Sequence, residues 1–378
     1  MTTFSRTNMS VIGRWWLGVD RWTLAALVIL ASAGIVLAMA ASPAVAEHLG
    51  KDTFYFAKRQ LAFLAPAVPV MLGLSLLGEQ GIRRTAIVVF AFSILLMVMT
   101  LFAGIEIKGA TRWVSLAGVT LQPSEFMKPA FAILSAWMFT AWRMHGNFVA
   151  FLAVFGIYAL AIALLLAQPD VGMCILTSMM WAVQFFLAGL PMLLVIAIGA
   201  LFVLGGVGAY FKFEHVHQRI DKFLDPAGSE AYQVARSLEA IRNGGVYGVG
   251  PGEGSVKAVL PDAHADFIFA VAGEEFGLFM TLLIVALFAF IVARGFGRVF
   301  KSSSLFSQLA VAGLLVQFGL QAIINMASTL NLMPTKGMTL PFVSYGGSSM
   351  LALALGMGMM LALTRDHPAP IQENGAWL

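Results

Sequence analysis

Long apolar runs recur from one end of this chain to the other, each close to the roughly 20 residues that a helix needs to cross about 30 Å of hydrocarbon. They fall at Trp22–Ala41, Arg59–Leu77, Arg84–Gly104, Ser124–Arg143, Phe148–Ala167, Val171–Ala188, Met192–Phe211, Phe267–Ala293, Leu305–Met333 and Gly346–Thr364. Lipid offers no water to backbone N–H and C=O groups, so runs of this kind read as helices. Composition agrees, because 378 residues with 60% hydrophobic and only 11% charged side chains exclude a water-soluble globule. The expectation is an all-α integral membrane protein with about ten transmembrane helices. An even number of spans places both termini on one side.

Two features of the N-terminal half have bland explanations. Ala44-Val45-Ala46 has the small-x-small pattern of a signal-peptidase site. A cleavable signal carries an apolar core of only about 7–15 residues, shorter than Trp22–Ala41, so an uncleaved span is expected. The lone Cys174 lies inside an apolar run and reads as a buried structural thiol.

Orientation follows Lys and Arg in the short loops. With the N-terminus inward, ten of the 23 basic residues face inward, seven lie in outer segments and six in the long connection 212–265. Such a loop translocates largely regardless of charge, so the comparison is ten against seven. With acids included, the inner face is positive and the outer slightly negative. The net +4 therefore needs no nucleic acid to explain it, and a basic inner rim suits an anionic leaflet. The expected organisation is one polytopic membrane domain over 1–378, with short cytoplasmic tails at 1–21 and 365–378. A large extracytoplasmic loop, 212–265, joins helices 7 and 8.

The inner connections are short and plain, such as Gly189–Pro191. Polar, Gly and Pro residues gather in Lys108–Lys128 (KGATRWVSLAGVTLQPSEFMK), Gln168–Asp170 (QPD), Asn243–Asp266 (NGGVYGVGPGEGSVKAVLPDAHAD) and Pro334–Ser349 (PTKGMTLPFVSYGGSS). These connect odd spans to even ones and share the face opposite the termini, where chemistry is expected. In this order the four segments resemble the signature of the SEDS family (shape, elongation, division, sporulation), the peptidoglycan glycosyltransferases. Thr335-Lys336-Gly337 is more similar to the division-type FtsW branch than to the RodA branch.

The resemblance implies polymerisation of lipid II into β-1,4 glycan strands at the outer face of the bacterial cytoplasmic membrane, during septal wall synthesis, with undecaprenyl pyrophosphate leaving. It implies a class B penicillin-binding protein as transpeptidase partner, alongside other divisome membrane proteins. Such a reaction needs a base for the acceptor hydroxyl, cations for a departing pyrophosphate and an apolar groove for the prenyl chain.

Pro261–Gly277 (PDAHADFIFAVAGEEFG) carries acids into an apolar run. A carboxylate at the membrane boundary is partly desolvated and so a better proton acceptor, which suits Asp266. At about 100° per residue, Ala270, Gly273 and Gly277 share its helix face, where bulky groups could approach. Glu275 points away and Glu274 lies about 12 Å deeper, a poor partner for the same hydroxyl. The family's catalytic aspartate falls on Asp266. A helix N-cap is the structural alternative, with Asp262 as the alternative base.

Glu125 and Lys128 lie one turn apart on one helix face, and ionisable pairs in membranes are functional candidates. Lys128 could hold pyrophosphate, with Glu125 orienting it or sharing a metal, or the two could form a helix-positioning ion pair. Arg112 is a second phosphate candidate, against headgroup snorkelling. Ser344 and Tyr345 bring hydroxyls beside paired glycines, although no histidine lies nearby to activate the serine, and a purely structural turn is the alternative. The resemblance adds Trp113, Gln122, Ser124, Asp170 and Lys336 to the substrate-binding set. A divalent cation, Mg²⁺ or Mn²⁺, is expected, with Asp266 and Glu125 as possible ligands.

Gly248, Gly250, Gly252 and Gly254 lack the βαβ setting of a dinucleotide fingerprint, so they read as loop shaping, with backbone amides on pyrophosphate left open. His215 and His217 without matched ligands read as a solvated loop face. The rival classes are a lipid II flippase and a non-catalytic divisome scaffold. A flippase needs polar groups across the whole membrane depth, whereas charges here cluster in the outer half.

Overall fold

The computed structural model describes residues 10–107, 110–116, 119–189, 192–212, 214, 217, 221, 229–334 and 337–365. Each of the ten apolar runs falls on a helix. These helices are α2 (Arg21–His48), α3 (Tyr55–Ser75), α4 (Glu79–Ala103), α5 (Pro123–His145), α6 (Phe148–Ala167), α7 (Val171–Leu187), α8 (Met192–Lys212), α10 (Ile268–Val299), α11 (Leu305–Thr329) and α12 (Gly347–Leu363). Five of them, α2, α4, α6, α10 and α11, are long and apolar enough to cross a membrane by length and composition. Among the described residues, two further α-helices were not expected: α1 (Val11–Gly18) in the N-terminal tail and α9 (Ser229–Gly244) within the 212–265 connection.

Lys108–Lys128 begins as a small sheet rather than as irregular loop. Strands β1 (Ile105–Ile107), β2 (Ala110–Leu116) and β3 (Val119–Leu121) pair antiparallel in that order, with Trp113 opposite Ile105 and Val114 opposite Leu121. Pro123 at the start of α5 ends the sheet, since its missing N–H is no loss in a first helical turn.

The centre of the bundle is α11, 72% buried in its apolar window, against 22% for α6 at the periphery. α5 packs against it with Met127, Phe131, Ile133 and Phe139 fully enclosed. α12 packs on α3, whose Pro66 and Pro69 lie inside the helix.

The polar bonds sort the helix ends into two faces. On one, the α2 N-cap Asp20 meets Arg294 near the end of α10, Arg298 donates to Thr364 after α12, and Glu79 of α4 accepts from Ser304 and Ser307 at the start of α11. On the other, the Gln60 amide in α3 reaches Val343 O, Tyr345 N donates to His264 O, and the sheet meets the α6–α7 turn. This is the alternation expected of successive spans.

Residues 243–257 fold back onto α10. Val249 N and Gly250 N donate to Glu274 O and Glu275 O at 2.9 and 3.1 Å, and Leu278 N donates to Gly245 O at 3.0 Å. Gly277, at φ 71° and ψ −164°, interrupts the α-helical run so that this contact can form. A Cβ on Gly277 would stand 2.4 Å from both Gly248 N and Val246 O, so only glycine fits. This corrects the expectation of an open stripe for bulky groups: Gly273 faces Ile241 of α9, and Gly277 faces the chain's own loop.

Candidate active site

Asp266 lies just before the N-terminal end of α10, partly exposed, with Phe267 as the N-cap residue making no side-chain cap bond. The turn before it is drawn together by Asp262, whose carbonyl accepts from Ala265 N at 2.9 Å and Asp266 N at 3.0 Å. Asp262 itself has φ 54°. A Cβ on Gly337 would lie 3.6 Å from Asp266 Oδ2, so the segment beginning at 337 borders the carboxylate. Gly337 has φ +61°, a conformation that a side chain would strain.

Lys128 and Glu125 meet as their spacing predicts. Lys128 Nζ stands 3.0 Å from Glu125 Oε2, and the lysine is fully buried. The ammonium also donates to Gln321 Oε1 at 3.2 Å. The Gln321 amide in turn donates to Thr339 O and Oγ1 at 3.1 and 3.3 Å, and Thr339 shares a 2.8 Å hydrogen bond with Ser349. One helical turn further, Asn325 Nδ2 donates to Asp266 O at 3.0 Å and Met338 O at 2.7 Å. The base candidate borders Gly337 directly, and the cation candidate is linked to Thr339 through Gln321.

The remaining expected residues divide. Arg112 on β2 donates to Gln168 O and Pro169 O at 3.0 and 2.6 Å and pairs with Asp170 at 3.1 Å. Asp170 also caps α7 through Met173 N. A phosphate at Arg112 would have to share a guanidinium already joining the sheet to the α6–α7 turn. Gln122 precedes α5 and its amide donates to Ser124 Oγ at 3.2 Å. Ser344 Oγ accepts from Leu340 N at 2.8 Å, closing a buried turn. The Tyr345 ring packs edge-on against Phe56 and beside His264. Burial raises the Tyr345 pKa, partly offset by Arg59. Lys336 and His215 lie outside the described residues, and His217 pairs with Asp221 at 3.0 Å.

The deeper acids hold structure. Glu274 Oε1 accepts from Val256 N at 2.8 Å and Asn243 Nδ2 at 3.2 Å, and its Oε2 accepts from Lys257 N at 2.9 Å. Glu275 pairs with the buried Lys257, which also donates to Ala40 O at 3.0 Å. Of the four glycines whose loop amides were left open for pyrophosphate, Gly248 N donates to Gly244 O and Gly250 N to Glu275 O, and the nearby amides of Val249, Val256 and Lys257 are bonded to α10. Sequence reading gave no role to Lys257, Gln321 or Asn325. Amides recurring every four residues in an apolar helix, at Gln317, Gln321 and Asn325, were the available signal.

Among the described residues, no three His, Cys, Asp or Glu side chains converge as a metal cage. Mg²⁺ commonly binds through one or two carboxylates plus substrate phosphates, a mode that a partly exposed Asp266 fits. Glu125 fits less well, being paired with Lys128.

A family model for cell cycle proteins of the FtsW, RodA and SpoVE type matches residues 21–368. The chain belongs to this family. A Caulobacter vibrioides relative named probable peptidoglycan glycosyltransferase FtsW is 45% identical, over 98% of this chain and 96% of its own. One from Alkalilimnicola ehrlichii with the same name is 35% identical, over 93% and 91%. Among solved structures, a chain of a peptidoglycan synthase complex that coordinates polymerization and crosslinking aligns at TM-score 0.76 and 25% identity, over 92% of this chain and 98% of that one. Thermus thermophilus RodA aligns at TM-score 0.67 and 24% identity, over 92% and 97%, a likeness of fold. Family membership and the apolar helices make this a multi-pass membrane protein with the SEDS fold, and the division-type branch is the one its named relatives share.

Proposed function

We propose that this chain is a peptidoglycan glycosyltransferase of the division-type branch, polymerising lipid II at the outer face of the cytoplasmic membrane with both termini cytoplasmic. The observation that carries the reading is that a partly exposed carboxylate, Asp266, borders Gly337 while a fully buried, ion-paired ammonium, Lys128, is joined through Gln321 to Thr339 of the same segment. Asp266 takes the proton from the acceptor 4-hydroxyl as that oxygen attacks the anomeric carbon of the donor. The bond from that carbon to the pyrophosphate oxygen breaks, and undecaprenyl pyrophosphate departs. One displacement inverts the α-linked donor to a β-1,4 glycan, so a single base suffices and no sugar–enzyme bond forms.

Lys128 faces the developing negative charge of the leaving group, and Glu125 compensates the lysine's charge while the site is empty. Arg112 and Asp170 act from outside, fixing the sheet over the α6–α7 turn. A bound Mg²⁺ or Mn²⁺ would supply charge neutralisation on the pyrophosphate, with Asp266 as its protein ligand. The relatives' names support glycan polymerisation, and the synthase-complex neighbour supports a crosslinking partner; the septum as the site of action and a class B penicillin-binding protein as that partner are part of the same proposal.

The test is purified protein with labelled lipid II and a divalent ion, with and without the candidate transpeptidase, scored for glycan polymer. Polymer is expected; a flippase or scaffold makes none. Excess chelator is expected to stop turnover, and undiminished turnover without carried-over ion contradicts the metal assignment.

A further inference from the structure

Three buried amides lie four residues apart along α11, Gln317 at 4%, Gln321 at 0% and Asn325 at 3% exposure. Burying an amide costs about 1–3 kcal/mol unless it is hydrogen-bonded. The side-chain hydrogen bonds of Gln321 and Asn325 leave the helix. Asn325 Nδ2 bridges two carbonyls, Asp266 O and Met338 O, which fixes its orientation because carbonyls only accept. Gln321 must present its oxygen to Lys128, which only donates, and its amide nitrogen to Thr339. Residues 321 and 325 lie one above the other on one helix face.

We infer that Gln321 and Asn325 are positioning residues that set the distance and aim between base and cation, resting on the assignment of Asp266 and Lys128 above. Asn325 ties the backbone of Asp266 to Met338, so the carboxylate is held against the segment that borders it. Gln321 takes one proton of the Lys128 ammonium, and Glu125 Oε2 lies 3.0 Å away as its ion-pair partner. An ammonium has three N–H donors, so donor capacity remains for a substrate phosphate oxygen. Among the described residues Asn325 Oδ1 is buried with no hydrogen-bond partner, so it is also an acceptor that an ordered water or substrate hydroxyl can use.

The experiment is a pair of double-mutant cycles on the purified full-length protein, reading kcat and KM for lipid II. Asn325→Ala is expected to lower kcat about 10–100-fold with KM within about twofold, the signature of a misplaced base rather than weakened binding. Asn325→Ser, which keeps one donor, is expected to recover part of the loss. In an Asp266→Asn background, Asn325→Ala is expected to cost almost nothing further, because the group it positions is gone. Gln321→Met is expected to lose its effect in a Lys128→Met background in the same way. Equal fold losses in the presence and absence of Asp266 or Lys128, with Asp266→Asn and Lys128→Met themselves impaired, overturn this inference and leave the proposed function standing. Wild-type rates in Asp266→Asn or Lys128→Met overturn the corresponding assignment and the inference built on it. If Asn325→Ala does not accumulate in the membrane, Asn325→Ser carries the same comparison.

Discussion

Lys128 has no solvent to balance its charge, so Glu125, 3.0 Å away, is what makes its burial tolerable. A purely structural ion pair and a pyrophosphate-binding lysine predict different outcomes when both charges are removed together. Lys128→Met alone is expected to lower polymerisation roughly 10²–10³-fold, the scale for losing one preorganised donor to a developing anion. The double variant Glu125→Gln with Lys128→Met leaves no unpaired buried charge. It is expected to fold as well as the wild type, by yield and monodispersity, and to stay inactive. Wild-type polymerisation by either well-folded variant would remove Lys128 from the site.

At the scale of elements, α10 and the loop folded onto it explain why acids enter the membrane. Glu274 collects loop amides, and Glu275 meets Lys257, which in turn reaches Ala40 of α2. Gly277→Ala puts a Cβ 2.4 Å from two backbone atoms and is expected to lift residues 245–250 off the helix, read as faster amide exchange across 243–257. Lys257→Met strands Glu275 and is expected to cost about 3–5 kcal/mol, read by thermal unfolding in detergent.

Much of this was legible beforehand. Hydrophobic length alone located the ten helices, and the three-residue spacing brought Lys128 to Glu125. Less legible were contacts between distant positions. Lys257 and Glu275 carry no mutual sequence signal, because their pairing depends on a loop folding back at Gly277. The sheet at 105–121 was hidden by strands of only three, seven and three residues, too short to show periodicity. Arg112 read as free for phosphate only while the turn it clasps was out of view.

For the molecule as a whole, the two faces do different work. The face bearing the termini is tied by Asp20, buried and gripped by Arg294 through three hydrogen bonds of 2.7–2.9 Å. Burial alone raises the Asp20 pKa, but hydrogen bonds from Arg294 and Thr23, with the charges of Arg294 and Arg298, bring it below the ordinary value of 3.8. A depressed carboxylate contributes stability that is fully present above its unfolded pKa and lost as pH falls through the folded one. The clasp is therefore intact at neutral pH and expected to weaken below about pH 4. Asp20→Asn is expected to lower stability by about 1.5–3 kcal/mol at neutral pH, with less difference from wild type in acid. The opposite face holds the proposed chemistry, and the central proposal is that Asp266 removes the acceptor proton. The measurement that meets it directly is lipid II polymerisation by Asp266→Asn and Asp262→Asn, with lipid II binding followed alongside. Asn keeps the size and hydrogen bonding of Asp and caps helices as well, so a structural role leaves activity near wild type. A general base predicts a roughly 10²–10⁴-fold loss of rate in Asp266→Asn with binding unchanged. Activity that survives Asp266→Asn and disappears in Asp262→Asn would contradict it and move the role to Asp262.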